Sequence, residues 1–190
     1  MKTTNLYEIR DKAIASGRAV FSAKALAHLI QKPLPTARTY LDRLAKKGLA
    51  KRMMKGKISF SDDEFVNATQ LVEPSYISLH SALRLHGLLQ QMPVDIQCVT
   101  PKNSIRIRAL GLRYHKIPPP LFFGYERVSR GGSYILLASP EKAVLDGWYL
   151  GVFDKKILDE LGGKLVWEKL KEMAGRYRGY GSRKLGKMMG

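Results

Sequence analysis

Arginine and threonine side chains recur at helical spacing near the start of this 190-residue chain. They are Thr36, Arg38, Thr39 and Arg43. An arginine guanidinium can donate two hydrogen bonds to guanine O6 and N7, and threonine can contact base edges or the thymine methyl group. These residue types on one helix face therefore predict base contacts in the major groove of duplex DNA.

A run of cations continues this segment toward the carboxyl end. Its members are Lys46, Lys47, Lys51, Arg52, Lys55 and Lys57. A point charge on a phosphate gives affinity without choosing a base, so we expect these side chains to contact the DNA backbone. Six such contacts would give a log–log salt dependence with a slope of about −5, at about 0.9 per phosphate.

Three predicted helices and a hairpin would position these side chains. The apolar spacing and the glycine and proline breaks predict helices over 6–16, 22–30 and 35–47, and strands over 49–53 and 57–60. The third helix has an apolar stripe formed by Ala37, Tyr40, Leu41 and Leu44, which leaves its basic residues on the other face. This order of elements predicts a winged helix-turn-helix.

The charge of the chain is concentrated at its two ends. The net charge is +17, and residues 1–61 hold fourteen basic and three acidic side chains. Residues 62–161 hold eleven of each sign, and residues 162–190 hold eight basic and two acidic side chains. A strongly basic segment concentrates polyanions near itself, so this distribution favours a partner that carries phosphates.

Among polyanions, duplex DNA fits the pattern better than RNA or a membrane. No aromatic-rich strand resembles the stacking platform of RNA-binding sheets. The cations lie on a helix, a turn and strands, whereas a membrane-surface helix places them opposite one apolar face. The chain also has no run of about 18 apolar residues, so we expect no membrane partner. Its single cysteine, Cys98, cannot form an internal disulfide, so we expect a reducing, cytoplasmic location.

The rest of the chain predicts a second domain, so that the whole is an α+β protein. We assign 1–61 to the winged helix-turn-helix, 62–74 to a linker, 75–161 to a small α+β domain and 162–190 to a basic helical tail. Within the second domain the sequence predicts strands over 94–100, 112–117, 121–123 and 134–138 and helices over 79–86 and 140–150. A further helix is expected over 164–178.

Catalytic chemistry finds little support in the second domain. The two closest histidines, His80 and His86, are six residues apart, which does not place metal ligands on one helix face. Glu141 and Lys142 could suggest a nuclease, yet the preceding strand lacks the acidic partner that metal-dependent hydrolysis needs. We therefore expect no enzyme activity, no metal and no cofactor. A nuclease-like or nucleotidyltransferase activity, or a regulator that binds a small effector or another protein, remains an alternative.

Two stretches of the second domain resemble a known family. They are YISLHSALRLHGL at residues 76–88 and ASPEKAVLD at residues 138–146. In this order, behind an N-terminal winged helix, they resemble the AbiEi-type antitoxins, which are transcriptional regulators of type IV abortive-infection toxin–antitoxin systems. The resemblance implies a DNA-binding domain that represses its own operon and a second domain needed for antitoxicity. It also implies a nucleotidyltransferase-like toxin as functional partner, without direct contact being assumed.

The last residues combine cations, aromatic side chains and glycines. Residues 176–184 read RYRGYGSRK. This composition is open to two interpretations. It could add a nucleic-acid contact in which Tyr177 or Tyr180 lies near a backbone or an exposed base, or it could be the basic end of a helix that packs on the second domain.

Overall fold

The computed structural model describes residues 5–90 and 93–177, and these form two compact units. The first unit contains the described residues up to Leu71 together with Ser129–Ile135. The second contains Val72–Val128 and the described residues from Leu136 onward. Both helices and strands build the chain, so the predicted α+β class is confirmed.

The first unit begins with the three predicted helices. They are α1 (Leu6–Ala15), α2 (Ala23–Ile30) and α3 (Leu34–Lys46). The Ser22 hydroxyl accepts a hydrogen bond from the amide of Ala25 and so caps α2, as its sequence position predicts. Beyond α3, Gly48 has a φ of 67°, a left-handed conformation that glycine adopts without strain. The three sequence-predicted helices are therefore confirmed to within two residues at each end.

A single apolar core holds these helices together. Ile9 of α1, Leu26 of α2, and Leu41 and Leu44 of α3 are buried in it, with Ile58 below them. Burying one such side chain stabilises a fold by roughly 1.5–3 kcal/mol. The core therefore fixes which face of each helix points inward.

A small antiparallel sheet completes this part of the first unit. Its strands are β1 (Val20–Ser22), β2 (Lys51–Met54) and β3 (Lys57–Ser59), in the order β1-β3-β2. The sequence predicts the two hairpin strands from the Lys55-Gly56 turn between them but not β1, whose partner β3 is distant in the sequence. Phe21 of β1 pairs with Ile58 of β3, so β1 joins the sheet to the core.

The segment predicted as a linker contains a buried helix, α4 (Glu64–Leu71). Its polar residues gave it the composition of a linker, but the structure buries them with hydrogen-bond partners. The Gln70 amide oxygen accepts from the backbone N–H groups of Ala19 and Val20, and its amide nitrogen donates to Ser133 and Tyr134. The carbonyl of Tyr134 and the hydroxyl of Ser133 are the acceptors, at 3.0 Å each.

The chain also forms a six-stranded sheet with the order β6-β7-β5-β4-β9-β8, of which residues 129–130 and 133–135 fall in the first unit and the rest in the second. The strands are β4 (Tyr76–Ile77), β5 (Ile96–Thr100), β6 (Ile105–Ile107), β7 (Leu112–Lys116), β8 (Tyr125–Arg130) and β9 (Ser133–Ala138). The predicted strand over 121–123 is wrong. Three consecutive prolines precede it, and Pro119–Leu121 forms a 3-10 turn instead, because proline fixes φ and has no N–H for a ladder.

Four helices accompany this sheet. They are α5 (Leu79–Leu85), α6 (Pro140–Tyr149), α7 (Lys156–Leu161) and α8 (Trp167–Ala174). The helix predicted over 140–150 is confirmed, with the Ser139 hydroxyl accepting from the Lys142 amide. The helix predicted over 164–178 is shorter than expected, and residue 178 lies outside the described residues. No helix within residues 5–90 and 93–177 has the length and apolar character needed to cross a membrane.

A buried polar cluster joins β4, α5 and α6 to the end of the described chain. Lys142 and Asp146 of α6 form an ion pair with both side chains fully buried. The Tyr76 and Ser78 hydroxyls donate to Asp146 Oδ2 at 2.9 and 2.8 Å, and Lys142 Nζ donates to the Tyr177 hydroxyl at 3.0 Å. Burial lowers the pKa of Lys142 and the neighbouring Asp146 carboxylate opposes that shift. Lys142 and Asp146 therefore compensate each other's charge.

We predict that Asp146→Asn destabilises the second unit by about 3–5 kcal/mol, because it leaves a buried ammonium group without its counter-charge. Chemical denaturation followed by circular dichroism measures this loss. The double variant Lys142→Met/Asp146→Asn is the control, since it removes both charges and should recover part of the stability. Equal losses in the single and double variants would contradict an ion pair at this site.

His115 of β7 offers a second test in the same unit. Burial, followed by the nearby Arg113 cation, lowers the pKa of His115 to about 4. The unfolded chain has the ordinary value and takes up a proton first as the pH falls. Stability is therefore lost between about pH 6.5 and pH 4 and is unaffected by this group above that window. We predict that His115→Gln makes the unfolding free energy less sensitive to acid in this range, as measured by denaturant titrations at several pH values.

Candidate nucleic-acid interface

The exposed face of α3 carries most of the residues predicted to contact bases. Arg38, Thr39 and Arg43 are exposed, and Thr36 is half-buried. Ala37, Leu41 and Leu44 of the same helix are buried in the core. Because these apolar residues occupy the inward face, Arg38 and Arg43 must point away from the core.

The Thr39 hydroxyl has a partner within its own helix. It donates to the carbonyl of Pro35 at 3.3 Å. A threonine bonded in this way still presents its methyl group outward, which is the part that can contact the methyl of thymine.

The cations after α3 fall into an exposed group and a group with partners. Lys46, Lys47, Lys51 and Lys55 are exposed. None of these four, nor Arg38 or Arg43, has an ion pair or side-chain hydrogen bond with any residue that the structure describes. Gly56 follows Lys55 with a φ of 75° and forms the tip of the β2–β3 hairpin, as the sequence predicts. Six uncompensated charges therefore lie on α3, the segment after it and the hairpin.

Arg52 is tied to α3 rather than left without a partner. Its Nη2 lies 2.6 Å from Oδ1 of Asp42, and both side chains are about half exposed. An ion pair at this exposure contributes at most about 1 kcal/mol, so its main effect is on position. It connects the exposed face of α3 to strand β2. The sequence interpretation omitted Asp42, although its position four residues after Arg38 places it on the same face.

Lys57 does not belong with the predicted phosphate contacts. Its Nζ donates to the carbonyl oxygen of Leu71, the last residue of α4. A lysine in this position satisfies a terminal helix carbonyl and interacts favourably with the helix dipole. Lys57 is half-buried and its contact holds α4 to the hairpin, so we assign it a structural role.

In the tail, Tyr177 is buried and its hydroxyl belongs to the Lys142–Asp146 cluster. This burial contradicts the interpretation of Tyr177 as a contact to an exposed base. The Arg176 guanidinium lies 4.5 Å from the centre of the Phe123 ring. Tyr180 lies outside the described residues, as do the cations Arg178, Arg183, Lys184 and Lys187.

The side chains considered for catalysis have structural partners. Lys142 forms a buried ion pair with Asp146. The Glu141 carboxylate accepts a hydrogen bond from the Val166 amide at 3.2 Å. His86 Nε2 lies 2.8 Å from the carbonyl oxygen of Ala138. Across residues 5–90 and 93–177, no group of three or more histidine, cysteine or acidic side chains is placed to hold a metal ion. Cys98 is buried, which raises the pKa of its thiol.

Comparison with known proteins gives no assignment. No protein-family model matches the chain, and no curated protein is significantly similar to it.

The two hairpin lysines provide a test of their different roles. We predict that Lys57→Met lowers the unfolding free energy of the first unit by about 1–2 kcal/mol, because the Leu71 carbonyl loses a charged donor. Lys55→Met should change it by less than about 0.5 kcal/mol, as for an exposed side chain without partners. Thermal and urea denaturation of the two variants measure this difference. A larger effect at Lys55 would reverse the assignment.

Proposed function

We propose that the protein is a DNA-binding transcriptional regulator whose first 61 residues form a winged helix-turn-helix. The order α1-β1-α2-α3-β2-β3 and the sheet order β1-β3-β2 support this proposal. In such a domain the second helix of the helix-turn-helix enters the major groove, and the hairpin lies along the adjacent backbone. Helix α3 and the β2–β3 hairpin would fill these two positions.

The observation that carries the proposal is the set of six uncompensated cations on α3 and the hairpin. A protein that keeps so many like charges together at one surface loses stability to their repulsion and gains it back when a polyanion binds. Arg38 and Arg43 would read base edges through bidentate hydrogen bonds. Lys46, Lys47, Lys51 and Lys55 would neutralise phosphates, and Arg52 would orient the hairpin through Asp42.

A narrower role follows from the two motifs in the second unit. Tyr76 and Ser78 come from the first motif, and Lys142 and Asp146 come from the second. All four side chains belong to one buried cluster, which gives a physical reason for their occurrence as an ordered pair. Together with the resemblance to AbiEi-type antitoxins, this supports a cytoplasmic, non-enzymatic autorepressor of a type IV toxin–antitoxin operon. A nucleotidyltransferase gene next to this one is the expected functional partner.

Salt dependence of binding tests the proposal directly. The four lysines on phosphates should contribute about −4 to the log–log slope of the association constant against salt, at about 0.9 per contact. This is smaller in magnitude than the slope expected from six contacts, because Arg52 and Lys57 have partners within the protein. Gel-shift or fluorescence-anisotropy titrations over a range of salt concentrations measure it on a duplex selected from random sequences. A slope near zero would contradict the neutralisation of DNA phosphates by these lysines.

Two single variants separate base reading from backbone contact. Arg38→Ala should relax sequence preference at one position and cost about 1–3 kcal/mol on the selected duplex. Lys55→Ala should weaken binding to all duplexes alike and reduce the magnitude of the slope by about 1. If the two variants behave identically on selected and scrambled duplexes, the assignment of α3 to the major groove is wrong.

A further inference from the structure

The middle of the sequence carries a local concentration of positive charge, which the zero net charge of residues 62–161 conceals. Between Asp95 and Glu126 the chain has no acidic residue. The same stretch holds five cations, namely Lys102, Arg106, Arg108, Arg113 and Lys116, and all five are exposed. The carboxylates that balance these charges over residues 62–161 lie elsewhere in the sequence. Five exposed cations therefore lie on or beside strands β6 and β7.

Two of these arginines face each other across the edge of the sheet. In the antiparallel β6–β7 pair, Arg106 is in register with Arg113. Residues directly opposite each other lie on the same face of a sheet, and like charges in that position are destabilising. Arg106 is compensated by Asp95, with Nε 2.7 Å from Oδ2. Arg113 has no ion pair or side-chain hydrogen bond with any residue in the described ranges.

The arginine pair borders an open groove. Its lining is Ser104, Ile105, Arg106, Arg113, Tyr114 and His115, and it includes no carboxylate. The Ser104 hydroxyl accepts a hydrogen bond from the Lys116 amide at 2.9 Å, so its proton can be donated to a ligand. Two guanidinium groups and a hydroxyl around one groove form a donor set suited to phosphate oxygens.

Protection of the sheet edge explains only part of this pattern. Charged residues on an edge strand discourage pairing with other chains, and Arg106 on β6 could serve that purpose. Arg113 lies on β7, which has β6 on one side and β5 on the other. An edge-protecting role therefore leaves Arg113, Arg108 and Lys116 without an explanation.

We propose that this surface, defined by Arg106 and Arg113 on one face of the β6–β7 pair together with the exposed Lys102 and Arg108 next to β6 in the sequence, binds the phosphate backbone of duplex DNA. The inference rests on the proposed DNA-binding function and extends it to a second contact region that does not read bases. A duplex fits better than single-stranded RNA, because Tyr114 in the groove is buried and cannot stack on an unpaired base, and the other ring there, His115, is half-buried. Sequence selection would remain with α3, and the second unit would contribute affinity.

The test compares two double variants of the full chain on a random-sequence duplex of about 30 base pairs. Arg108→Gln/Arg113→Gln removes two charges from the proposed surface and keeps the Arg106–Asp95 pair. Lys155→Gln/Lys156→Gln removes two charges from exposed positions at the start of α7 in the same unit, so the net charge is matched. We expect the first variant to reduce the magnitude of the salt slope by about 2, at about 0.9 per contact, and the second to leave it unchanged. Equal slopes in the two variants would overturn the proposal.

A tethered cleavage reagent locates the contact independently. Cys98 is buried, so a cysteine introduced as Asn103→Cys, an exposed position next to Ser104 of the groove, offers the accessible thiol for labelling with an iron chelate. We expect hydroxyl-radical cleavage of the bound duplex from this position and none from the matched Lys155→Cys control. Absence of cleavage from both positions, or equal cleavage from both, would contradict a backbone contact at β6–β7.

The outcomes distinguish this inference from the proposed function. If Lys55→Ala lowers the slope and Arg108→Gln/Arg113→Gln does not, the winged-helix proposal stands and the second surface is wrong. If only the second-unit variant lowers the slope, the second surface stands and the assignment of the β2–β3 hairpin to the DNA backbone fails. Competition by single-stranded RNA at lower concentrations than duplex DNA would overturn the choice of a duplex.

Discussion

The burial of one stripe of α3 is the constraint on which the candidate interface depends. Leu41 and Leu44 contribute to a core that also holds Ile9, Leu26 and Ile58, and no rotation of the helix can keep them buried while turning Arg38 inward. The same apolar contacts that stabilise the first unit thus determine which charges face solvent. In this unit, stability and the presentation of the basic surface are two consequences of one amphipathic pattern.

Charge repulsion adds a second constraint, and the structure relieves it selectively. Arg52 is neutralised by Asp42, and Lys57 is bound to a helix carbonyl, whereas Lys55 between them has no partner in the described chain. The hairpin therefore uses some cations to fix its own position and leaves others available. Counting basic residues overestimates the number of phosphate contacts for this reason.

Elements with a strong local signal could be predicted from the sequence. Helices α1 to α3 have apolar periodicity and terminal glycine or serine residues, and α6 has a serine cap followed by proline. Strands β1 and β4 have three and two residues, and their positions depend on pairing with strands distant in the sequence. Strand β6 has three residues and pairs with the neighbouring β7. The sequence leaves residues 65–74 open as a linker or a connecting helix, and only the fold shows that the Gln70 amide of α4 satisfies backbone groups of Ala19 and Val20.

The candidate site shows the same division between local and long-range information. The exposure of Arg38 and Arg43 follows from helical periodicity, so the sequence alone predicts it. The partners of Arg52 and Lys57 are ten and fourteen residues away and depend on how the hairpin meets α3 and α4. The Arg106–Arg113 pair depends on strand register, because the two residues become neighbours only when β6 folds back on β7. The net charge over residues 62–161 is zero and so does not reveal such a pair. The strand register places the two guanidinium groups opposite each other. A bound anion at this position would relieve the repulsion between them.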